Sequence, residues 1–409
     1  MPNLTTFETL LRRALLALML ALPCLFGLLT TYLLLLLLLV ALAYLLLQWR
    51  QRALRLDLAG RLLLLGFAGL ALLVAVSALL AGRPRDLLYA LDFGMLVLYA
   101  PLASLYDRSA APGNSIVVAD LALAGVALAL LIGVFEKLVY HPERVGNFAS
   151  DPIRYADTAT ILGFLALIGL VSRTGRWRWL FLLGPVLALG AVLLSGSRSA
   201  LLAFPLMLVI AAGMLVPHKR IALAIGAGAI ALFAGLFALA DLLKISRAVT
   251  LIDVARNLVT GGAVADDSAR QRFALYRAGL EAFWQSPLIG SGWHRRMEVT
   301  GQYLPPGDKV LATLPHLHDE VLNFAVGSGV IGVGIYVLLL LTPLIVCLRS
   351  PRDGQYRTRL YGCVMLVGSY FTLGLADVMI GFELHTALFV ALTALLLSYC
   401  RDRPAAAAS

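Results

Sequence analysis

Residues 30–48 read TTYLLLLLLLVALAYLLLQ, with no charge, glycine or proline in the run. At about 1.5 Å per residue, an apolar helix of this length crosses the ~30 Å hydrocarbon core of a bilayer. Comparable blocks recur outward from it at 10–29, 60–81, 87–106, 115–136, 156–172, 177–194, 199–216, 220–243, 320–347, 359–377 and 384–400. The 409 residues are 61% hydrophobic and 14% charged, where a soluble domain carries about a quarter charged residues. Short alternating segments, the mark of a membrane β-barrel, are missing. The pattern therefore predicts an all-α polytopic membrane protein with about twelve spanning helices. Cys24, Cys347, Cys363 and Cys400 all lie in or beside apolar blocks, so they predict neither a disulfide framework nor a metal knuckle. The first block follows Arg12 and Arg13 like a signal peptide, but another span follows at once, and we read it as a retained helix.

The net charge of +10 does not form a nucleic-acid-binding stripe, because the basic residues are scattered among the connections between spans. They report topology instead. With alternate connections assigned to the cytoplasm from the N-terminus onward, the Lys/Arg bias between short connections is about three to one. That places both termini in the cytoplasm and the long segment 244–319 outside, which in a bacterial envelope is the periplasm. The chain thus divides into helices 1–9 (1–243), a periplasmic loop (244–319), and helices 10–12 with a short tail (320–409). No part of the loop is large enough to fold as a soluble domain, and the two halves show no persuasive repeat. Within the loop, Ser268 to Gln285 reads as an amphipathic helix, with Phe273, Leu275, Leu280, Phe283 and Trp284 set among Arg270, Arg272 and Arg277, suited to lying over the outer membrane face. Ser286-Pro287 and Gly290-Ser291-Gly292 end it.

Three constellations could carry chemistry. Arg198, in Ser195-Gly-Ser-Arg-Ser199, falls at the outer end of a span, where a guanidinium can attract an anion or simply snorkel to headgroups. Arg270, Arg272 and Arg277 suit phosphate oxygens through paired N–H donors, or else form a solvated basic face. On a helix, positions 272 and 276 share one side. His316-Leu-His318-Asp-Glu320 supplies imidazoles able to act as a general base near neutral pH, or a His-x-His metal pair if the backbone there is extended. Gly327, Gly329, Gly332 and Gly334 follow without a preceding strand, so they predict close helix packing rather than nucleotide binding. Asp266-Asp267 reads as solvated loop. Asp92 and Asp120 lie inside apolar spans and must face protein or water.

Taken in order, these features resemble the O-antigen ligase and polymerase superfamily of bacterial membrane glycosyltransferases. Ser197-Arg198 resembles its Ser-Arg at a periplasmic helix start. Arg272-Phe-Ala-Leu-Tyr276-Arg277 resembles its Arg-x-x-x-aromatic-Arg helix, and Pro287-Leu-Ile-Gly290-Ser-Gly292 its Pro-x-x-Gly-x-Gly turn. Arg144, Gly146, Asn147, Phe148 and Pro152 resemble a looser family segment. The most specific match is His318-Asp319, nine residues, then Gly329-x-x-Gly332, although Asp319 stands where the ligase pattern has Asn, Ser or Gln. The register selects His318 over His316.

The resemblance implies a GT-C-like enzyme without cofactor or metal. It would transfer O-antigen from undecaprenyl diphosphate to a lipid A-core sugar hydroxyl on the periplasmic face of the inner membrane. In that role Arg198 and Arg272 would bind the diphosphate, and His318 would be the general base, with Arg270, Arg277, His316 and Asp377 as secondary candidates. Attack in line with the leaving group would invert the anomeric centre. An O-antigen polymerase or a protein O-oligosaccharyltransferase is the alternative within this class. A lipid-linked glycan flippase, which would carry its charges at mid-membrane, is the alternative outside it.

Overall fold

The computed structural model describes residues 4–47, 56–149, 151–242 and 267–402, and it is helical with no strand among them. The helices are α1 (Leu4–Leu16), α2 (Pro23–Leu47), α3 (Leu58–Leu80), α4 (Pro84–Asp107), α5 (Asn114–Tyr140), α6 (Pro152–Ser172), α7 (Arg176–Ser195), α8 (Arg198–Leu215) and α9 (Lys219–Leu242). After them come α10 (Asp267–Gln285), α11 (Arg296–Tyr303), α12 (Glu320–Arg349), α13 (Tyr356–Gly374) and α14 (Glu383–Tyr399). Seven of these, α3 to α8 and α12, are long and apolar enough to cross a membrane. The other helices are shorter, more polar or only partly described.

The expected break between the first two spans, at residues 29 and 30, falls instead at Leu22-Pro23. A π turn over Ala17–Ala21 closes the first helix, and proline opens α2, where its missing N–H costs nothing. Elsewhere polar residues set the starts. Asp151 accepts the N–H groups of Ile153 and Arg154 at 2.8 and 3.0 Å and opens α6, and Asp57 opens α3 through Gly60. Of the two aspartates inside apolar spans, Asp92 accepts the indole N–H of Trp293 at 2.9 Å, and Asp120 pairs with Arg173.

Burial sorts the bundle. In α6, 83% of the most apolar stretch is enclosed, against 28% in α3, so α6 is central and α3 turns its leucines outward. A second, smaller core lies under the long connection. Leu275, Ala278 and Ala282 of α10 pack with Met297, Val299, Leu304, Leu311 and Leu317, and with Leu322 and Val326 of α12. The apolar side of the amphipathic helix is therefore spent largely on protein, while Leu280 and Trp284 stay exposed. Asp266 and the rest of 243–266 lie outside the described residues.

The four glycines of α12 do not act as a helix-packing stripe. Gly329 has φ +65° and interrupts the helix. The groups freed by this break are bonded by the turn at 287–292. Ser291 and Gly292 donate to the carbonyls of Val326 and Gly327 at 2.8 and 3.1 Å, and Val330 and Ile331 donate back to Pro287 and Leu288 at 2.8 and 3.3 Å. Two backbones in such contact leave no room for side chains. A Cβ on Gly329 would stand 2.2 Å from the Leu288 carbonyl oxygen, and one on Gly290 would stand 2.3 Å from the Ser328 nitrogen. At Gly334 a Cβ would meet nothing within 4 Å.

Candidate active site

Arg198, Arg272 and His318 come from three separate elements, yet all three line one cavity of about 330 Å³. Glu143, Arg144, Ser197, Ser199 and Gln271 share its walls.

Arg198 and His318 are delivered by local breaks in helical structure, and Arg272 by a continuous helix. α7 ends at Ser195, and Gly196 takes the left-handed conformation (φ +64°), returning its N–H to Val192. Ser197 is extended, and Arg198 opens α8. No side chain caps this start, because the Ser197 hydroxyl turns to Ser199 at 3.1 Å. The first amides of α8 thus add their partial positive charge beside the Arg198 guanidinium. Arg144 is tethered to the same corner, its Nε donating to the Ser195 carbonyl at 3.0 Å. Buried Glu136 steadies the following residues by accepting from Gly146 N–H at 3.0 Å and from the Asn147 side chain at 2.6 Å.

α10 presents Arg272 and Gln271 to the cavity and turns its other arginines away. Arg270 pairs with Asp308 at 2.7 Å, and Arg277 points to Glu281, 3.6 Å away, with its side chain 87% exposed.

His318 sits in a turn whose backbone is anything but helical, with φ +55°, a strained value for a side chain branching at Cγ. The hydroxyl of Tyr276 donates to the His318 carbonyl at 2.7 Å. Asp319 caps α12 by accepting the Leu322 N–H at 2.7 Å. Asn or Ser serves as a helix cap equally well, so aspartate at this place of the motif keeps the same structural role. Burial raises the Asp319 carboxyl above its ordinary value.

Behind the turn, buried Arg296 donates to Pro315 O at 2.9 Å, to Asn323 Oδ1 at 3.0 Å and to Trp293 O, and stacks over the Trp293 ring at 4.3 Å. Burial draws this guanidinium down to about 10, so it remains charged at neutral pH.

His316 and Asp377 stand together beside His318. Asp377 Oδ1 lies 3.5 Å from His316 Nε2 and 3.8 Å from His318 Nδ1. The loop bearing Asp377 is fixed by buried Glu320, which accepts from Met379 and Ile380 N–H at 3.2 and 2.5 Å. Burial pulls His316 down to about 4, only partly offset by Asp377, so His316 is neutral at working pH. Burial also presses the Asp377 carboxyl upward, but the neighbouring His318 more than offsets this and holds it below its ordinary value.

One atom each from His316, His318 and Asp377 lie within 4.8 Å of one another, which is close enough to consider a metal. However, the His318 N–H donates to His316 Nδ1 at 3.2 Å. A neutral His316 then carries its proton on Nε2, the nitrogen a metal would need. The cluster fits a carboxylate standing close to two imidazoles better than a cation site.

Sequence reading did not assign roles to Arg144, Glu143, Gln271, Tyr276 or Arg296. For Tyr276 the signal was present in its sharing a helix side with Arg272. For Arg296, one of two adjacent arginines in a polar loop, the sequence carried no signal.

No curated protein matches the chain. The family model described as O-antigen ligase matches residues 183–337, a segment that holds Arg198, Arg272, His318 and the interlocked glycines. That match supports membership of the O-antigen ligase family, whose enzymes are glycosyltransferase-like and work on lipid-linked glycans at a membrane.

Proposed function

We propose that this protein transfers O-antigen from undecaprenyl diphosphate to a sugar hydroxyl of lipid A-core, without a metal, on the periplasmic face of the bacterial inner membrane. In this reading about twelve helices span the bilayer, both termini are cytoplasmic, and segment 244–319 is periplasmic. The single observation that carries the reading is the cavity shared by Arg198, Arg272 and His318.

The chemistry follows from those groups. The acceptor oxygen attacks the anomeric carbon of the donor sugar, and the bond from that carbon to the diphosphate oxygen breaks with its electron pair on the diphosphate. Charge grows on the leaving group, where Arg198, Arg272 and the open amide end of α8 favour it. The proton of the attacking hydroxyl passes to His318. Ionised Asp377 then stabilises the imidazolium, as a carboxylate beside a histidine base does. Attack from the side opposite the leaving group inverts the anomeric centre.

The test is glycan transfer by purified protein with lipid-linked O-antigen and lipid A-core in excess chelator. We expect chelator-resistant transfer that falls about 10²–10⁴-fold in His318→Ala and about 10²–10³-fold in Arg198→Ala and Arg272→Ala, with folding preserved. Extension of the lipid-linked glycan in place of transfer to lipid A-core would assign the protein to polymerisation. A folded protein inert in both assays would sink the enzyme reading, and abolition of transfer by the chelator would sink its metal independence.

A further inference from the structure

We infer that Tyr276 is a positioning residue that registers the imidazole of His318 against the anion-binding arm at Arg272, making α10 the element that couples the two halves of the site. The inference rests on the reading of His318 as the general base.

Arg272 and Tyr276 are four residues apart on α10 and share one side of it. Arg272 lines the cavity, whereas Tyr276 is half-buried behind the wall, and its hydroxyl donates to the His318 carbonyl at 2.7 Å. One helical turn therefore joins the guanidinium to the backbone of the imidazole.

This link falls on the most strained residue of the turn. A histidine at φ +55° is held there only if its surroundings fix it, since the left-handed conformation is costly for residues other than glycine. The neighbouring bonds fix the flanks. Arg296 holds Pro315 O, Leu317 N–H leans on Asn323 Oδ1 at 3.4 Å, and Asp319 caps α12. The His318 carbonyl itself is held by Tyr276. Burial pushes the phenol up to about 12, so it remains a hydrogen-bond donor across the working pH range. The anion-binding guanidinium and the backbone of the imidazole are thus held in register by one turn of α10.

The experiment compares wild type with Tyr276→Phe, which removes one hydroxyl and keeps the ring. Diethyl pyrocarbonate labelling of His318, read by peptide mass spectrometry, reports the turn directly, with exposed His141 as the internal control. Transfer kinetics with varied lipid-linked donor run in parallel. We expect His318 to label at least about 3-fold faster in the variant while His141 is unchanged, and kcat to fall at least about 10-fold while donor KM stays within about 3-fold.

Unchanged His318 labelling overturns the inference even if kcat falls, because Tyr276 would then act by another route. Unchanged kcat with faster labelling overturns it too, because the position of His318 would not limit transfer. If wild type transfers nothing, the labelling arm still decides whether Tyr276 holds His318, and only the enzymatic reading fails.

Discussion

The two ends of α12 use buried polar groups in opposite ways. At its far end Arg359, 1% exposed, is bonded to protein through both terminal nitrogens. It donates to both oxygens of Asp353 at 2.6 and 2.9 Å, to Cys400 O at 3.0 Å, to Pro351 O at 2.6 Å and to Ser350 Oγ at 3.2 Å. Gln355 and Asp402 extend the web to Ala111 O, and Asn114 reaches Tyr399 O at 3.0 Å. At the near end, Arg198 and Arg272 line a cavity beside an uncapped helix start and a strained histidine. A buried guanidinium bonded to protein through both terminal nitrogens is a rivet, while guanidinia that line a cavity beside helix amides are arranged for an anion.

The largest effect should separate the two ends by what is lost. Arg359→Leu leaves Asp353 facing a hole in the far-end web, and breaking such a buried pair costs about 3–5 kcal/mol. We expect a large fall in melting temperature and in folded yield in detergent, while the molecules that do fold transfer glycan at the wild-type rate. If Arg359→Leu instead melts normally but loses transfer, the far end belongs to the site, and the contrast collapses.

The sequence allowed one of these ends to be read in advance more readily than the other. Arg198, Arg272 and His318 stood in motifs whose order and spacing pointed to a shared task, and apolar blocks placed them near one side of a membrane. How the motifs touch was not readable. Pro287-x-x-Gly-x-Gly and Gly329-x-x-Gly332 are separated in sequence, and only the folded backbone shows the turn bonding the groups that the broken helix frees. Helix-packing glycines and a helix-breaking glycine look alike in one dimension, because the difference is a single positive φ. The first inter-helix break was misjudged for a related reason. A long apolar run hides its interruption, and Pro23 was the only local mark of it.

A smaller effect tests the ends through pH. The near end holds His316, buried and drawn down to about 4 from an ordinary 6.5, whereas the far-end web is built from arginine, aspartate and amides. The unfolded chain takes up a proton on this histidine near pH 6.5, and the folded chain does so only near pH 4. Stability supplied by the neutral imidazole is therefore complete above 6.5 and is lost as pH falls toward 4. Asp377, held below the ordinary carboxylate value of 3.8, titrates beneath this window. Melting temperatures at pH 7 and 4.5 should differ less in His316→Gln than in wild type. An equal slope in both proteins would mean that the acid sensitivity arises elsewhere.

The smallest effect is expected within α10 itself, where two arginines of one motif should behave as strangers. Arg272 faces the cavity; Arg277 is turned outward, and its partner Glu281 lies 3.6 Å away on the same exposed surface. An i,i+4 pair in solvent contributes about 0.3–0.5 kcal/mol, and salt screens much of that. Arg277→Ala should therefore change melting temperature slightly and leave transfer within about 2-fold of wild type, the ordinary range for exposed substitutions. A loss comparable to that of Arg272→Ala would show that the exposed side of α10 meets the donor lipid or the acceptor, and that the anion site extends over the helix onto the surface beside Leu280 and Trp284. The position of a guanidinium relative to the cavity, rather than its membership of a motif, decides which outcome physical reasoning expects.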